Sequence, residues 1–356
     1  MEGVVSPSSF WQGRRVLVTG HTGFKGGWLS LWLQALGADV TGFALRPEGQ
    51  PNLFEVARVG EGMESIIGDI RNPAEVRAAF DASEPEVVFH LAAQALVRQS
   101  YAEPIDTFAT NVVGTAAVLD AARRPSVQAV VSVTSDKCYE NREWPWGYRE
   151  DDHMGGHDPY SASKGCAELV TASFRRSFFH DPDSAWLASA RAGNVIGGGD
   201  WSTDRLIPDM VRAFTAGEPV VIRNPDALRP WQHVLEPLAG YLLLGERLAT
   251  HGEPMASAWN FGPADTDARP VHWVVDRMAD RWGDGAAWVA QPDGGPHEAQ
   301  LLKLDCSKAR TQLGWTPRLG LDGALDWLVD WYRAHLDGAD MRAVTLAQIE
   351  RFSTLG

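Results

Sequence analysis

The sequence predicts an α/β fold, a doubly wound parallel sheet joined to a smaller mixed α/β domain. Two observations carry this. Over residues 1–190, short apolar runs alternate with amphipathic helical stretches, the rhythm of parallel strands covered by helices on both faces. After Gly193 the rhythm breaks at Gly197-Gly198-Gly199, and Pro and Gly become frequent.

The elements follow in order. Residues 14–20 (RRVLVTG) read as a buried strand. Residues 24–36 read as a helix with Trp28, Leu29, Trp32, Leu33 and Leu36 on one side, stopped by Gly37. Further strands are predicted at 39–45, 65–68, 86–92 (EVVFHLA), 129–134 (AVVSVT) and 185–190. Helices are predicted at 73–80, 103–123 and 159–179. Residues 1–190 then form the large domain and 191–356 the smaller one, with segments near 229–263 returning to the large sheet. Right-handed crossovers place all strand C-termini on one edge, where ligands bind. There is no internal repeat or low-complexity tract.

Composition narrows the class. A chain of 356 residues, 44% apolar and 22% charged, supports a sizeable core. The net charge of -14 argues against a nucleic-acid partner but leaves anionic small ligands open, since helix N-termini and local Arg clusters hold those. Cys138, Cys166 and Cys306 form no CxxC pair, so neither a disulfide framework nor a zinc site is expected, and a cytoplasmic protein with reduced thiols is. Residues 1–10 lack the pattern of a signal peptide. No stretch approaches the ~18 consecutive apolar residues of a membrane helix. The 15 tryptophans are scattered and read as packing residues.

The first strand runs into Gly20-His21-Thr22-Gly23-Phe24-Lys25-Gly26 and then a helix. Such glycines let the backbone turn tightly and approach a pyrophosphate, while the helix N-terminus supplies N–H groups and partial positive charge. The sheet is therefore read as Rossmann-type and this loop as a dinucleotide site. The second strand ends Phe43-Ala44-Leu45-Arg46, without the acid that often binds ribose hydroxyls. Arg46 is compatible with a 2′-phosphate, hence NADP, or with simple solvation. Asp69, before Ile70, is compatible with a place beside the adenine or with a helix cap or turn.

Pro159-Tyr160-Ser161-Ala162-Ser163-Lys164 opens a helix and sets Tyr160 and Lys164 one turn apart on one face. A tyrosine with pKa near ~10 is a poor base at neutral pH. A neighbouring ammonium and an oxidised nicotinamide lower that value.

TGHTGFKG (residues 19–26), HLAAQ (90–94), the Asn111 segment and YSASK (160–164) occur in the order of the extended short-chain dehydrogenase/reductase family, which the chain resembles over nearly its whole length. TSDKCYEN (134–141), WGYRE (146–150), RAGNVIGGGDW (191–201), RPWQHV (229–234) and PHEAQLLKLDCSKA (296–309) are most similar to its nucleotide-sugar dehydratases. The resemblance implies NAD as cofactor, with Gly20, Gly23, Phe24, Lys25, Gly26, Arg46, Asp69, Ile70, Ala92, Ala93, Asn111, Tyr160 and Lys164 around it. It implies a catalytic set of Ser135, Asp136, Lys137, Tyr160 and Lys164. Ser135 would assist Tyr160, Asp136 would protonate a departing hydroxyl, and Lys137 would take the proton next to a ketone. Related enzymes carry Glu at that last position, so Lys137 is a departure, and it must be neutral to act as a base. A 4-epimerase or another nucleotide-sugar dehydratase is the alternative, and the Asp136-Lys137 pair argues against the epimerase.

Arg205 and Arg229 are candidate pyrophosphate clamps, with surface salt bridges as the plain alternative. Gln94, Asn194 and His297 complete the substrate side by resemblance. His297 and Glu298 have no matching further ligands, so no metal is expected. CDP-glucose as substrate and a homodimer rest on the resemblance alone.

Overall fold

A computed structural model of the chain describes residues 9–291 and 301–355. Seven strands form one sheet: β1 (Arg15–Thr19), β2 (Asp39–Ala44), β3 (Glu64–Ile67), β4 (Val87–His90), β5 (Ala129–Val133), β6 (Trp186–Ala192) and β7 (Ala258–Phe261). Their spatial order is β3-β2-β1-β4-β5-β6-β7, and every neighbouring pair is parallel. The order reverses between β1 and β4. A crevice therefore opens there at the strand C-termini, where connections leave to opposite sides.

Both faces of the sheet are buried, and the alternation of side chains sorts them into two cores. Val16, Val18, Val87, Phe89, Ala129 and Val131 enter one core. Leu17, Val88 and Val130 enter the other. The larger core packs against α1 (Phe24–Ala35), where Trp28, Leu29 and Leu33 are fully buried. The smaller core lies under α2 (Pro73–Ser83), through Val76, Ala79 and Phe80. Burying each of these large apolar side chains contributes about 1.5–3 kcal/mol. Helix α3 (Pro159–Phe178) starts where Asp158 caps it, its carboxylate accepting from Ser161 N at 2.9 Å with Pro159 in the first turn.

Local reading and structure part company in three places. Residues 103–123, read as one helix, are Pro104–Phe108, a π-helical turn Ala109–Gly114 and Thr115–Ala121. The wide turn is stitched by Thr115 Oγ1 donating to Asn111 O at 2.7 Å, and Gly114 lets Ile70 approach to 2.7 Å of where a Cβ would lie. Strand β6 extends two residues past the predicted 185–190, because Arg191 and Ala192 pair with Asn260 and Phe261 of β7. That partner is 69 or so residues away in sequence, out of reach of any local pattern. The three glycines at 197–199 do more than break a pattern. A Cβ on Gly198 would lie 2.1 Å from the Trp331 ring, Gly199 has φ +83°, and Trp28 Nε1 donates to Gly198 O at 2.9 Å.

Past β6 the chain adds α4 (Leu206–Ala216), α5 (Leu235–His251), α6 (Val271–Trp282), α7 (Leu321–Leu336) and α8 (Met341–Ser353). Helix α5 lies on the large sheet against β5 and β6. Short strands pair beyond the sheet edge: Val195–Ile196 with Gln232–His233, Leu228–Pro230 with Ala268–Pro270, and Val220–Ile222 with Trp288–Ala290. This smaller mixed α/β part faces the crevice.

Candidate active site

The glycine loop is built by exclusion. Gly20 has φ +81°, and a Cβ there would lie 2.8 Å from Ala92 N. A Cβ on Gly26 would lie 2.0 Å from Gly20 O. Helix α1 begins at an extended Gly23 with no side-chain cap and no acid in its first turn, so its positive end is left for an anion. His21 turns away from the loop beneath Gly42, with Nε2 2.7 Å from Ser65 Oγ, and burial pushes its pKa down to about 4. His90 sits between Thr19 Oγ1 at 2.7 Å and Thr115 Oγ1 at 3.0 Å, and burial pushes it down to about 3. Both histidines are neutral tethers between elements.

A cavity of about 970 Å³ follows the sheet edge from this loop to the smaller part. Ser135, Asp136, Lys137, Tyr160 and Lys164 line it, as do Gly20, Gly23, Phe24, Lys25, Gly26, Arg46, Asp69, Ile70, Ala92 and Ala93. Gln94, Asn194, Arg205 and Arg229 line it too. The volume, the side-chain-free cradle and the uncapped helix end fit a dinucleotide beside a second ligand.

Asn111 is not among the lining residues. It is buried, its Oδ1 accepts from Gln94 N at 2.9 Å, and its Nδ2 donates to Gln94 O at 3.0 Å and Ser163 Oγ at 2.8 Å. Its amide ties the loop after β4 to α3. The Gln94 amide is likewise engaged, donating to Leu96 O in its own loop and to Thr107 Oγ1 of the helical turn Pro104–Phe108, each at 3.0 Å. Asp69 is a turn residue, its carboxylate held by Arg71 at 2.7 Å, which draws its pKa below the usual carboxylate range. The cap of α2 is Asn72. Arg46 is exposed at the cleft rim. His297 lies outside the described residues. Among the described residues no group of three or more His, Cys, Asp or Glu can hold a metal ion.

The candidate catalytic side chains meet where β5 ends. Ser135 opens a single 3₁₀ turn, Asp136–Cys138, and its Oγ accepts from Lys137 N at 3.2 Å. The same Oγ donates to Asp136 Oδ1 at 3.0 Å. Burial raises the Asp136 pKa; the Lys137 charge, the Ser135 hydrogen bond and the charges of Lys25 and Arg229 oppose it in part. Asp136 Oδ2 has no hydrogen-bond partner among the described residues and lies against Gly193, where a Cβ would be 2.6 Å away. Lys137 Nζ is 6.0 Å from the centre of the Tyr160 ring.

Tyr160 N donates to Ser100 Oγ at 3.1 Å, which seats the first turn of α3. Burial pushes Tyr160 up to about 12, against the Ser135 hydrogen bond and the Arg205 charge. Burial brings Lys164 down to about 8 despite Cys138 and Glu168. Lys25 comes down to about 7 through burial and then the charges of Arg205 and Lys164, with Asp136 opposing. The cleft is thus crowded with cations that an anionic ligand would satisfy. On the substrate side, an Arg205 nitrogen lies 3.4 Å from Asp200 Oδ2.

Two groups of residues were missed from sequence. Glu168 and Arg191 form a buried ion pair at 2.8 Å beneath the catalytic turn. Glu168 also accepts from Thr134 Oγ1 at 2.5 Å and Ser189 Oγ at 2.7 Å. Arg191 donates to Tyr139 Oη at 2.7 Å and to Glu150 O at 2.8 Å. Glu168 stands at i+4 from Lys164, and that spacing was the available signal. At the cleft mouth, Asp204 lies 3.8 Å from Arg98 and 3.7 Å from Arg223, with no sequence pattern joining the three.

Fold and site together define a dinucleotide-dependent enzyme of the short-chain type. The NAD dependent epimerase/dehydratase family matches residues 16–262, and the chain belongs to it. Among individual relatives, the CDP-glucose 4,6-dehydratase of Salmonella typhimurium is 54% identical over 349 residues, 97% of each chain. The dTDP-glucose 4,6-dehydratase of Streptomyces antibioticus is 30% identical over 284 residues, covering 75% of this chain and 76% of that one. Among solved structures, MoeE5 in complex with UDP-glucose and NAD superposes with TM-score 0.74 at 26% identity, covering 90% of this chain and 99% of that one. The Thermotoga maritima UDP-glucose 4-epimerase shares the fold, with TM-score 0.79 at 22% identity, 90% of this chain and 99% of that one.

Proposed function

We propose that this protein is a hydro-lyase that removes water from CDP-D-glucose to give CDP-4-dehydro-6-deoxy-D-glucose. The observation that carries the reading is the buried Asp136, with its raised pKa, beside Lys137 and against the Tyr160–Ser135 pair. An epimerase needs only the last two; an elimination needs an acid and a base more. The 54% identity with the Salmonella enzyme supports CDP as the nucleotide.

Gly20, Gly23 and Gly26 of the glycine loop would hold NAD, which when bound would supply a reversible hydride acceptor for sugar carbons 4 and 6. The chain's own residues handle the protons. Tyr160 as phenolate takes the proton of the 4-hydroxyl, with Lys164 and Ser135 stabilising its charge. The 4-ketone acidifies carbon 5, from which neutral Lys137 removes a proton. Neutral Asp136 protonates the departing 6-hydroxyl, and Lys137 returns its proton to carbon 5. Arg205 and Arg229, which line the same cleft, are suited to the substrate diphosphate.

The test is incubation with CDP-glucose, dTDP-glucose, GDP-mannose and UDP-glucose in turn, with NAD or NADP, followed by the alkali-induced absorbance of a 4-keto sugar. Product from CDP-glucose is expected. Turnover of a non-CDP sugar alone, or interconversion without loss of water, would overturn the reading.

We also propose a homodimer in the cytoplasm. Ile105, Val113 and Leu169 are 80%, 57% and 60% exposed on packed neighbouring helices, an apolar face suited to a second copy. No helix among the described residues is long and apolar enough to cross a membrane. Sedimentation should show a dimer that Ile105→Glu weakens; a monomer at micromolar concentration would refute the pairing.

A further inference from the structure

Three charged side chains meet at the mouth of the cleft, and the proposed reaction uses none of them. Asp204 Oδ1 lies 3.8 Å from Arg98 Nε and 3.7 Å from Arg223 Nη1. All three residues line the cavity. Each comes from a different part of the chain. Arg98 stands on the short helix Val97–Ala102 that follows β4, and Arg223 directly follows the short strand Val220–Ile222. Asp204 belongs to the turn that precedes α4. One carboxylate oxygen thus joins the large-sheet side of the cleft to the smaller part.

The turn is built to hold Asp204 there. Its base is fixed on the smaller part: Tyr332 Oη donates to Asp200 O at 2.6 Å, and Arg212 donates to Trp201 O at 3.1 Å and to Ser202 O at 3.4 Å. Asp204 itself takes φ +59°, in the left-handed region that Asp and Asn enter more readily than other side chains. The next residue, Arg205, reaches across to Ala95 O at 3.5 Å. The contacts of Asp204 are long, and its side chain is 48% exposed, against 36% for Arg98 and 26% for Arg223. Exposed ion pairs of this kind are weak. A phosphate group accepts from guanidinium in pairs, at about 2.7–2.9 Å, and binds it more strongly than a distant carboxylate does. Arg98 and Arg223 therefore gain more from a phosphate than from Asp204.

We propose that Arg98 and Arg223 form a further anion site for the diphosphate of the substrate, and that Asp204 is its internal competitor, occupying the site until a nucleoside diphosphate displaces it. Binding exchanges a loose carboxylate contact for phosphate contacts, and the free energy of releasing Asp204 is subtracted from the affinity for the ligand. Asp204 thus lowers that affinity, and the two arginines raise it. The competitor also sits beside Arg205 in one turn, so its release acts on a residue suited to the same diphosphate. The inference rests on the reading of the substrate as a nucleotide sugar, and is independent of which base that nucleotide carries.

The experiment is isothermal titration calorimetry of the NAD-loaded protein with CDP, which carries the diphosphate but no sugar to react. Asp204→Asn removes the charge and keeps a side chain that tolerates the left-handed backbone. It should tighten CDP binding about fivefold, the factor expected for releasing two exposed ion pairs. Arg98→Gln and Arg223→Gln should each weaken CDP binding about tenfold, as for loss of a charged hydrogen bond. Once both arginines are replaced, adding Asp204→Asn should change nothing further. A fluorescence titration with NAD should give the same affinity for wild type and Asp204→Asn. Weaker or unchanged CDP binding in Asp204→Asn, a gain that persists without the two arginines, or a parallel shift in NAD affinity would overturn the competitor. Titrations with UDP, dTDP and GDP separate this inference from the reading it rests on. Binding of one of these in place of CDP overturns CDP-glucose as substrate, and the sign of the Asp204→Asn effect with that nucleotide still decides the competitor. A wild-type protein that binds none of the four overturns both.

Discussion

Replacing Glu168 by Gln tests whether the buried ion pair beneath β5 holds the catalytic turn in place. Glu168 and Arg191 are 4% and 3% exposed, and their charged atoms lie 2.8 Å apart. The Glu168 carboxylate accepts three hydrogen bonds, from Thr134, Ser189 and Arg191. Burial pushes its pKa up, but the Arg191 charge and these bonds outweigh that and hold it below 4.5. Neutralising the carboxylate leaves the Arg191 guanidinium buried without its counter-charge, with its Nε already unpartnered among the described residues. Breaking one side of such a pair costs about 3–5 kcal/mol. Arg191→Met should cost a similar amount. The double variant should cost clearly less than the sum, because the uncompensated charge is gone. Urea unfolding of the four proteins at pH 7 measures this directly. The pH dependence follows the same logic. The Glu168 contribution is present above the unfolded carboxylate value, near ~4.3, and is lost as pH falls through the lower folded value. Glu168→Gln should therefore flatten part of the acid limb of the stability curve. Since Thr134 precedes Ser135, kcat should fall with stability. Single variants that each cost under about 1 kcal/mol, or a strictly additive double variant, would refute the reasoning.

Four further outcomes are expected. Lys137→Ala should bind NAD normally, by fluorescence titration, while 4-keto product formation drops about 100-fold or more; full activity would remove Lys137 from the base role. Gly26→Ala should abolish NAD binding in the same titration, since its Cβ would lie 2.0 Å from Gly20 O; unchanged affinity would refute the cradle. Tyr160 should titrate near 12 in the ligand-free protein and lower once NAD is bound, because the oxidised nicotinamide is positive; an unshifted midpoint would place Tyr160 away from the nicotinamide. Glu236, raised by burial to about 7, accepts from Arg318 N at 2.9 Å and from Leu319 N. Its folded form holds the proton more tightly than the unfolded chain, so its contribution is complete below about 4.3 and lost as pH rises toward 7. Glu236→Gln should remove that decline, up to about 3 kcal/mol, and an unchanged curve would count against it.

The glycine loop shows what was legible and why. Its spacing, the strand before it and the helix after it are contiguous, so the dinucleotide cradle could be read from residues 14–36 alone. The Tyr160/Lys164 pair was legible for a similar reason, as one turn of a helix that Asp158 and Pro159 start locally. That Asn111 is buried against Gln94 and Ser163 was not legible, because the π-helical turn around it is set by Gly114 against Ile70, a packing event between separate elements. The extension of β6 was not legible because its partner strand β7 lies about 69 residues further along the chain.

By itself the sequence determined the strand and helix periods, the cradle and the catalytic residue types, all of which depend on neighbours within a turn or a strand. Only the tertiary structure decided that the charges of Lys25 and Arg229 both act on Asp136, that Tyr160 and Asp136 line one cavity, and that Glu168 and Arg191 pair beneath β5. The reason is the parallel sheet. It brings chain ends distant in sequence to one edge, and the distances between their side chains are set by register and packing, which no local pattern encodes.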